Sequence, residues 1–344
     1  MEKTLTAKTS KAPATSLEQS RYPDLLAAID MGSNSFRLEI GQLSKGRYKR
    51  IEYLKETVRL GGGLDSHGML TEEATQRGLA CLAQFAQRLK GFASWQVRAV
   101  ATQTLREARN RDAFLQRADR VLGHRIEVIA GREEARLIYL GVSRLQPSEL
   151  PRLVIDIGGR STEMILGHGR TPIRKESFGV GSVSLSMQHF PKGQYTAENF
   201  RAAQIAAGAE LEEALTLFER SQWQEALGSS GTVGAVSQIL AANGITDGSI
   251  TPEALRWCME RCIEAGSAEL LSLPGLKPER KPVLAGGLCI LYTLASHFDI
   301  EALRPAKGAL RQGVIFDLDE RVEAARNHRL LDPRDTSVRE LQQR

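Results

Sequence analysis

The chain has no apolar run long enough to cross a bilayer, so it offers no transmembrane helix. Histidine is scarce, six in 344 residues, and no spacing among the six suits a metal site or a Ser-His-Asp triad. A covalent mechanism has no clear candidate, and no Walker-type Gly-x-x-x-x-Gly-Lys-Ser/Thr is present. Cysteine is equally sparse: Cys81, Cys258, Cys262 and Cys289. Cys258 and Cys262 lie one helical turn apart, but no further Cys or His completes a metal site, and the four read as reduced thiols of a cytoplasmic protein. No low-complexity block dominates. With 42% apolar and 25% charged residues, the composition is that of a soluble globular protein long enough for two domains, each with its own core.

The net charge of +5 suits a polyanionic ligand, yet the basic residues are too dispersed for a nucleic-acid-binding protein. The densest group is Lys45, Arg47, Lys49, Arg50, Lys55 and Arg59, with Glu52 and Glu56 interleaved; it is either a solvated strand face or a ligand-facing patch. Residues 1–23 are rich in Lys, Thr, Ser and Ala and read as a disordered tail rather than a signal peptide. Residues 326–344 read as a charged tail.

What the chain does contain is a repeat. Ile29-Asp30-Met31-Gly32-Ser33-Asn34-Ser35 returns as Ile155-Asp156-Ile157-Gly158-Gly159-Arg160-Ser161, and each copy runs on into an apolar segment closed by Gly41 or Gly167. Alternation on both sides of the turn predicts a hairpin at 25–41, and the repeat implies two similar half-molecules. Val97–Ala101, Ile126–Ile129 and Arg152–Asp156 read as strands. Helices are expected after Thr71, from Asn110 or Asp112 to Gly123, from Gly131, over Asn199–Arg220, Pro252–Gly266 and Pro282–Phe298, and finally over Gly308–Arg326. Pro147 and Pro151 bracket a seam between the halves. Strands alternating with helices give an α/β class, and hairpin openings imply mixed sheets.

Two such turns facing each other can grip a phosphate chain. Gly158 and Gly159 let backbone N–H groups approach an anion closely. Asp156 and Glu163 place carboxylates where phosphate would sit, which calls for an intervening cation, usually Mg²⁺. The first turn offers Ser33, Asn34 and Ser35, followed by Arg37. A third small-residue loop, Gly228–Gly234 with Gly231 and Thr232, precedes a helix and suits an anion at its N-terminus. Thr102 and Arg106 form a candidate phosphate-binding pair, and Arg311 is a further candidate cation. Glu134, on the first turn of its helix, either favours the helix dipole or deprotonates a water attacking phosphorus.

Taken together the segments IDMGSNSFRLEI (29–40), VRLGGGLDSHGML (58–70), AVATQTLREARN (99–110), EVIAGREEARLIYLGV (127–142), LVIDIGGRSTEMILG (153–167), GSSGTVGAV (228–236) and ALRQGVI (309–315) resemble the exopolyphosphatase/guanosine pentaphosphate phosphohydrolase family. The resemblance implies two related actin-like (ribonuclease H-like) domains, 24–148 and 149–325, with an interdomain cleft and the last helix packing back on the first domain. It assigns water activation to Glu134, and the metal and terminal phosphate to Asp156 and Glu163. It gives the phosphate grip to Ser33, Asn34, Gly158, Gly159 and Ser161, and cleft-lining cations to Arg37, Arg106 and Arg311.

The implied activity is Mg²⁺-dependent hydrolysis of inorganic polyphosphate or guanosine pentaphosphate in a cytoplasmic homodimer, without membrane or nucleic-acid partners. Alternatives are a non-catalytic sensor of polyphosphate or guanosine tetraphosphate, and an ATP-using ATPase or kinase of the actin-like superfamily. Two positions depart from the family pattern. Arg160 stands where glycine is usual, and clamps phosphate, points outward or obstructs the site. Gln312 replaces a glutamate, which leaves Arg311 without a local acidic partner. The length implies the two-domain core without the family's additional C-terminal domain, and hence a weaker grip on very long chains.

Overall fold

Alternating apolar residues on both sides of the Gly-Ser-Asn turn build a hairpin of β1 (Leu25–Met31) and β2 (Phe36–Ser44), to which β3 (Arg47–Glu56) adds a third antiparallel strand. The computed structural model describes residues 20–44 and 46–330, with side chains described as far as 325. Lys45 and most of the two expected tails, 1–23 and 326–344, therefore lie outside the described residues. Thr71 opens α1 (Glu72–Arg88) by accepting from the Ala74 N–H, and the stripe Leu79, Leu82 and Phe85 is buried against the sheet. β4 (Val97–Ala101), α2 (Gln103–Glu107), α3 (Arg111–Leu122), β5 (Ile126–Val128) and α4 (Gly131–Leu145) complete the half. Its sheet runs β3-β2-β1-β4-β5, with β4 and β5 parallel to β1.

The second half repeats this design. β6 (Arg152–Ile157), β7 (Thr162–His168) and β8 (Thr171–Phe178) form the antiparallel meander. α5 (Ser182–His189), α6 (Ala197–Glu210) and α7 (Glu212–Leu217) lead to β9 (Glu225–Ser229). α8 (Gly231–Ala242), α9 (Pro252–Ala265) and α10 (Lys281–His297) precede β10 (Leu303–Pro305) and α11 (Leu310–Leu330). Read from the meander edge, the sheet order is β8-β7-β6-β9-β10, the same topology with the same strand directions. The repeat extends to an irregularity: register shifts fall between Ile40 and Gly41 and between Leu166 and Gly167. At each closing glycine a tyrosine ring, Tyr48 or Tyr139, fills the space a side chain would need.

Each half lends its last helix to the other. α4 packs on β7 and β8, α11 packs on β1, β2 and β4, and the two helices lie against each other. α4 is buried on more than one face (Ala135, Leu137, Ile138, Tyr139, Val142), as its apolar run from Leu137 to Val142 demands, and shares a core with Leu26, Val154, Ile165, Val314 and Leu318. α4 meets α11 and the segment leading into it backbone to backbone, at Gly141 and Gly313 within the helices and at Gly308 just before α11, where any Cβ would collide with the opposite main chain. Glycine inside a helix costs about 1 kcal/mol relative to alanine; here it permits the close crossing that couples the two sheets. Two mixed sheets of the same topology, flanked by helices, thus stand on either side of a cleft.

Two expectations change. The single helix expected over 199–220 is interrupted at Leu211 (φ −101°, ψ 4°) and ends at Leu217, although Ala207, Leu211, Ala214 and Phe218 continue one buried stripe across the interruption. The strand Thr171–Phe178 escapes sequence reading because Arg174, Lys175 and Glu176 mask its alternation. Among the described residues no helix is long and apolar enough to cross a membrane. All four cysteines are buried and free.

Candidate active site

Both hairpin turns open on the cleft between the halves, where they line one cavity of about 450 Å³. They touch directly: a Cβ on Gly159 would fall 2.8 Å from Ser33 Cβ and 3.4 Å from the Asn34 nitrogen, so the approach needs glycine. The second turn is closed by the Gly158 N–H donating to the Ser161 carbonyl at 2.9 Å, and its Gly158 carbonyl accepts from the N–H and hydroxyl of Ser182. In the first turn the Ser33 hydroxyl is held by Thr104 at 2.7 Å, both groups being buried. The third loop contributes Ser230, Gly231 and Thr232 to the same wall. Ser230 sits at φ 135° and accepts from the Thr232 and Val233 N–H groups, so the first amides of α8 are already partly capped. The Thr232 hydroxyl donates to the Ile157 carbonyl, which ties this loop to β6.

Three carboxylates come together where β6, β7 and α4 meet. Asp156 ends β6, and Glu163 stands opposite it in register on β7. Glu134 rises from the first turn of α4. Asp156 and Glu134 line the cavity; Glu163 is fully buried behind its wall. Glu163 Oε1 accepts from the Ser177 hydroxyl at 2.7 Å, while Oε2 has no hydrogen-bond partner among the described residues. Arg106 donates to Glu134 Oε2 at 2.9 Å. Burial, and then the charge of Glu163, push Asp156 up to about 8. The same two causes raise Glu134 well above the ordinary carboxylate range, against the pull of Arg106. Burial also raises Glu163. These acids cannot all ionise without added positive charge. Among the described residues no three His, Cys, Asp or Glu side chains form a ready metal cage. One or two carboxylates completed by substrate phosphate is, however, the usual Mg²⁺ arrangement, and the unpartnered Glu163 oxygen fits it.

Positive charge surrounds the remainder. Arg37, Arg50, Lys55, Lys277, Arg280, Lys307 and Arg311 all line the cavity. Of the dense basic group in the sequence, Arg50 and Lys55 face this space, whereas Arg47, Lys49 and Arg59 do not line it. Sequence reasoning missed Lys277, Arg280 and Lys307, which arrive on loops before α10 and α11; the charged run Lys277-Pro278-Glu279-Arg280 was the one available signal. Asn34, Ser35, Ser161 and Thr102 line the cavity as well.

Two arginines, Arg106 and Arg311, differ from expectation, and Arg160 takes the outward course among its three alternatives rather than joining the phosphate-binding set. Arg106 does not line the cavity; its Nε serves Gln103 and its Nη1 serves Glu134 and the Ile129 carbonyl, while Nη2 has no hydrogen-bond partner among the described residues. Arg160 also lies outside the wall and points away, pairing with Glu107 at 2.7 Å, so it neither clamps nor blocks the phosphate space. Arg311 lines the cavity but is not left unpaired. It reaches Glu39 at 3.2 Å and Asp30 at 3.4 Å and lies over the Tyr53 ring. Gln312 donates to that same Glu39 at 2.6 Å, where a glutamate would face a buried like charge.

A model of the Ppx/GppA phosphatase family matches residues 40–322. A Haemophilus influenzae protein named as an exopolyphosphatase is 41% identical over 300 residues, which cover 87% of this chain and 93% of the relative. A guanosine-5'-triphosphate,3'-diphosphate pyrophosphatase of Pseudoalteromonas atlantica is 40% identical over 310 residues, 90% of this chain but 61% of its own length. Among solved structures, the Aquifex aeolicus PPX-GPPA enzyme matches with a TM-score of 0.70 at 26% identity, over 85% of this chain and 99% of that one. An exopolyphosphatase from Cytophaga hutchinsonii shares the fold, with a TM-score of 0.75 at 24% identity over 86% of this chain and 98% of that one.

Proposed function

Because the chain belongs to the Ppx/GppA phosphatase family, we propose that it hydrolyses terminal phosphoanhydride bonds, releasing phosphate from inorganic polyphosphate or the 5′ γ-phosphate from guanosine pentaphosphate. The observation that carries this reading is the division of charge within one cavity. Asp156 and Glu134 line it, with Glu163 buried behind its wall; these three carboxylates repel one another, and seven cationic side chains line the cavity as well. That layout receives a polyanion along its length and concentrates chemistry on its end.

The terminal phosphate lies against the Ser33-Asn34 turn and the bare backbone of Gly159, whose amides stabilise charge on the equatorial oxygens. Glu134 orients water for in-line attack and takes its proton as the bond to the bridging oxygen breaks. That role requires ionised Glu134, which the charges of Glu163 and Asp156 oppose. Asp156 and Glu163 would hold Mg²⁺, which when bound supplies positive charge to the phosphate and relieves the repulsion among the acids. Arg106 fixes the direction of the Glu134 carboxylate, and Arg37, Lys55 and Arg280 neutralise the phosphates that follow.

Orthophosphate release from polyphosphates of several lengths and from guanosine pentaphosphate, measured side by side with and without Mg²⁺, tests the reading. Glu134→Ala should lower turnover roughly 10²–10⁴-fold, and a variant with unchanged Mg²⁺-dependent turnover would remove Glu134 from the mechanism. The sensor alternative needed Arg160 inside the cavity and loses that support. A cytoplasmic homodimer belongs to the same proposal; four buried free thiols suit a reducing compartment, and sedimentation velocity reads the subunit number.

A further inference from the structure

Arg160 leaves the second turn and crosses to the first domain. Its Nε and Nη2 donate to Glu107 Oε2 at 2.8 and 2.7 Å, and Nη1 donates to the Gly61 carbonyl at 3.3 Å. Glu107 ends α2, and its other oxygen accepts from Gln103 Nε2 at 2.7 Å. Gln103 Oε1 accepts from Arg106 Nε at 2.8 Å. Arg106 Nη1, steadied by the Ile129 carbonyl at 2.8 Å, donates to Glu134 Oε2 at 2.9 Å. The polarity of every link is forced. A guanidinium only donates and an ionised carboxylate only accepts, so the Gln103 amide must face Glu107 with nitrogen and Arg106 with oxygen.

From this unbroken chain we propose that Arg160 is a positioning residue for hydrolysis, aligning Glu134 with the attacking water through Glu107, Gln103 and Arg106. The proposal rests on Glu134 being the group that activates water. α2 is a five-residue helix, too short to hold its own geometry, so the side chains it carries depend on tertiary ties. Its first and last residues are those that Arg106 and Arg160 grip. Seating the second turn against the first domain therefore sets the Arg106 fork, and the fork sets the carboxylate. The pair is part-buried, with side-chain exposures of 21% for Arg160 and 32% for Glu107, so a contribution to stability is separated from alignment by measuring melts beside kinetics.

Steady-state kinetics of Arg160→Ala, Gln103→Ala and the double variant, with thermal melts of each, test the relay. Each single variant should lose about tenfold in kcat while KM moves less than about twofold, because alignment and not binding is disturbed. The double variant should be no slower than either single one, since both cut the same chain. Arg160→Lys should recover part of the rate, as one ammonium can reach Glu107 without the bidentate fork. Additive losses, a rise in KM with kcat intact, or lower melting with unchanged kcat would each overturn the relay. Glu134→Gln, assayed in parallel, separates the two readings. If it keeps full turnover, the base assignment fails and the relay with it; if it is inactive while Arg160→Ala is unaffected, the relay alone fails.

Discussion

The two hairpin turns occupy the same place in the same topology, yet their acids meet opposite fates. In the first half Asp30 stands across the hairpin from Arg37, which reaches it at 3.0 Å, and Arg311 from α11 approaches at 3.4 Å. In the second half the equivalent residue, Asp156, stands across from Glu163. One copy balances its charge inside the protein. The other is left with two acids and a third, Glu134, nearby. Duplicated geometry thus carries unequal charge: the acid of the first copy is neutralised by arginines, and that of the second is left beside two further acids, where the proposed Mg²⁺ would relieve the repulsion. A local conflict that folding alone would remove is the kind of feature that accompanies functional sites, and it supports the proposed role of the second copy.

The largest expected effect tests that division directly. Asp156→Asn should lower turnover on the order of a hundredfold or more while raising thermal stability, because it removes a repelled carboxylate. Asp30→Asn should do the reverse, lowering stability by about 1–3 kcal/mol by taking a buried charge partner from Arg37 and Arg311. Phosphate release and calorimetric melts of the two variants read both quantities. Matching losses of stability would show that the two copies are not divided in this way.

A second test uses pH in metal-free buffer. Asp156 is pushed up to about 8 by burial and Glu163. Below about pH 4 its carboxyl is protonated both folded and unfolded and contributes nothing. As pH rises from about 4 to about 8 the unfolded chain ionises this group and the folded protein does not, so its contribution to stability grows steadily more unfavourable and then levels off. The melting-temperature difference between Asp156→Asn and the wild type should therefore widen across that window. Saturating Mg²⁺ should narrow it at pH 8. A difference independent of pH would mean that Asp156 ionises freely in the folded protein.

Much of this was legible in the chain because it is local. The repeat exposes both hairpins, and small residues beside acids expose the turns, Asp156 and Glu163. The apolar run behind Glu134 exposes α4. The arginines show where such reading stops. Arg160 and Glu107 are 53 positions apart, so a sequence reveals the cation but not the acid that claims it. Lys277, Arg280 and Lys307 reach the cavity by loop packing; Arg280 rests on Gly231 because that residue has no side chain to exclude it. The break at Leu211 escaped because the apolar stripe Ala207, Leu211, Ala214 and Phe218 runs across it at unbroken helical spacing.

The smallest effect concerns the closing glycines, where the two halves should agree in kind and differ in degree. Alanine at Gly41 meets the Tyr48 ring, and alanine at Gly167 meets the Tyr139 ring. Overpacking of this sort costs about 1–3 kcal/mol. Tyr139 is wholly buried in the core shared by α4, α11 and both sheets, with its hydroxyl bound to the Gly169 carbonyl at 3.1 Å, so its ring has nowhere to go. Tyr48 is half-buried at the sheet edge and packs edge-on against Phe316, so it can tilt outward at the expense of its bond to Glu39. Urea unfolding should therefore place Gly167→Ala nearer the upper end of that range and Gly41→Ala nearer the lower. Neither residue lines the cavity, so kcat should be unchanged in both. An equal or reversed order would mean that backbone register at the bulge, rather than the freedom of the ring, sets the cost in both copies.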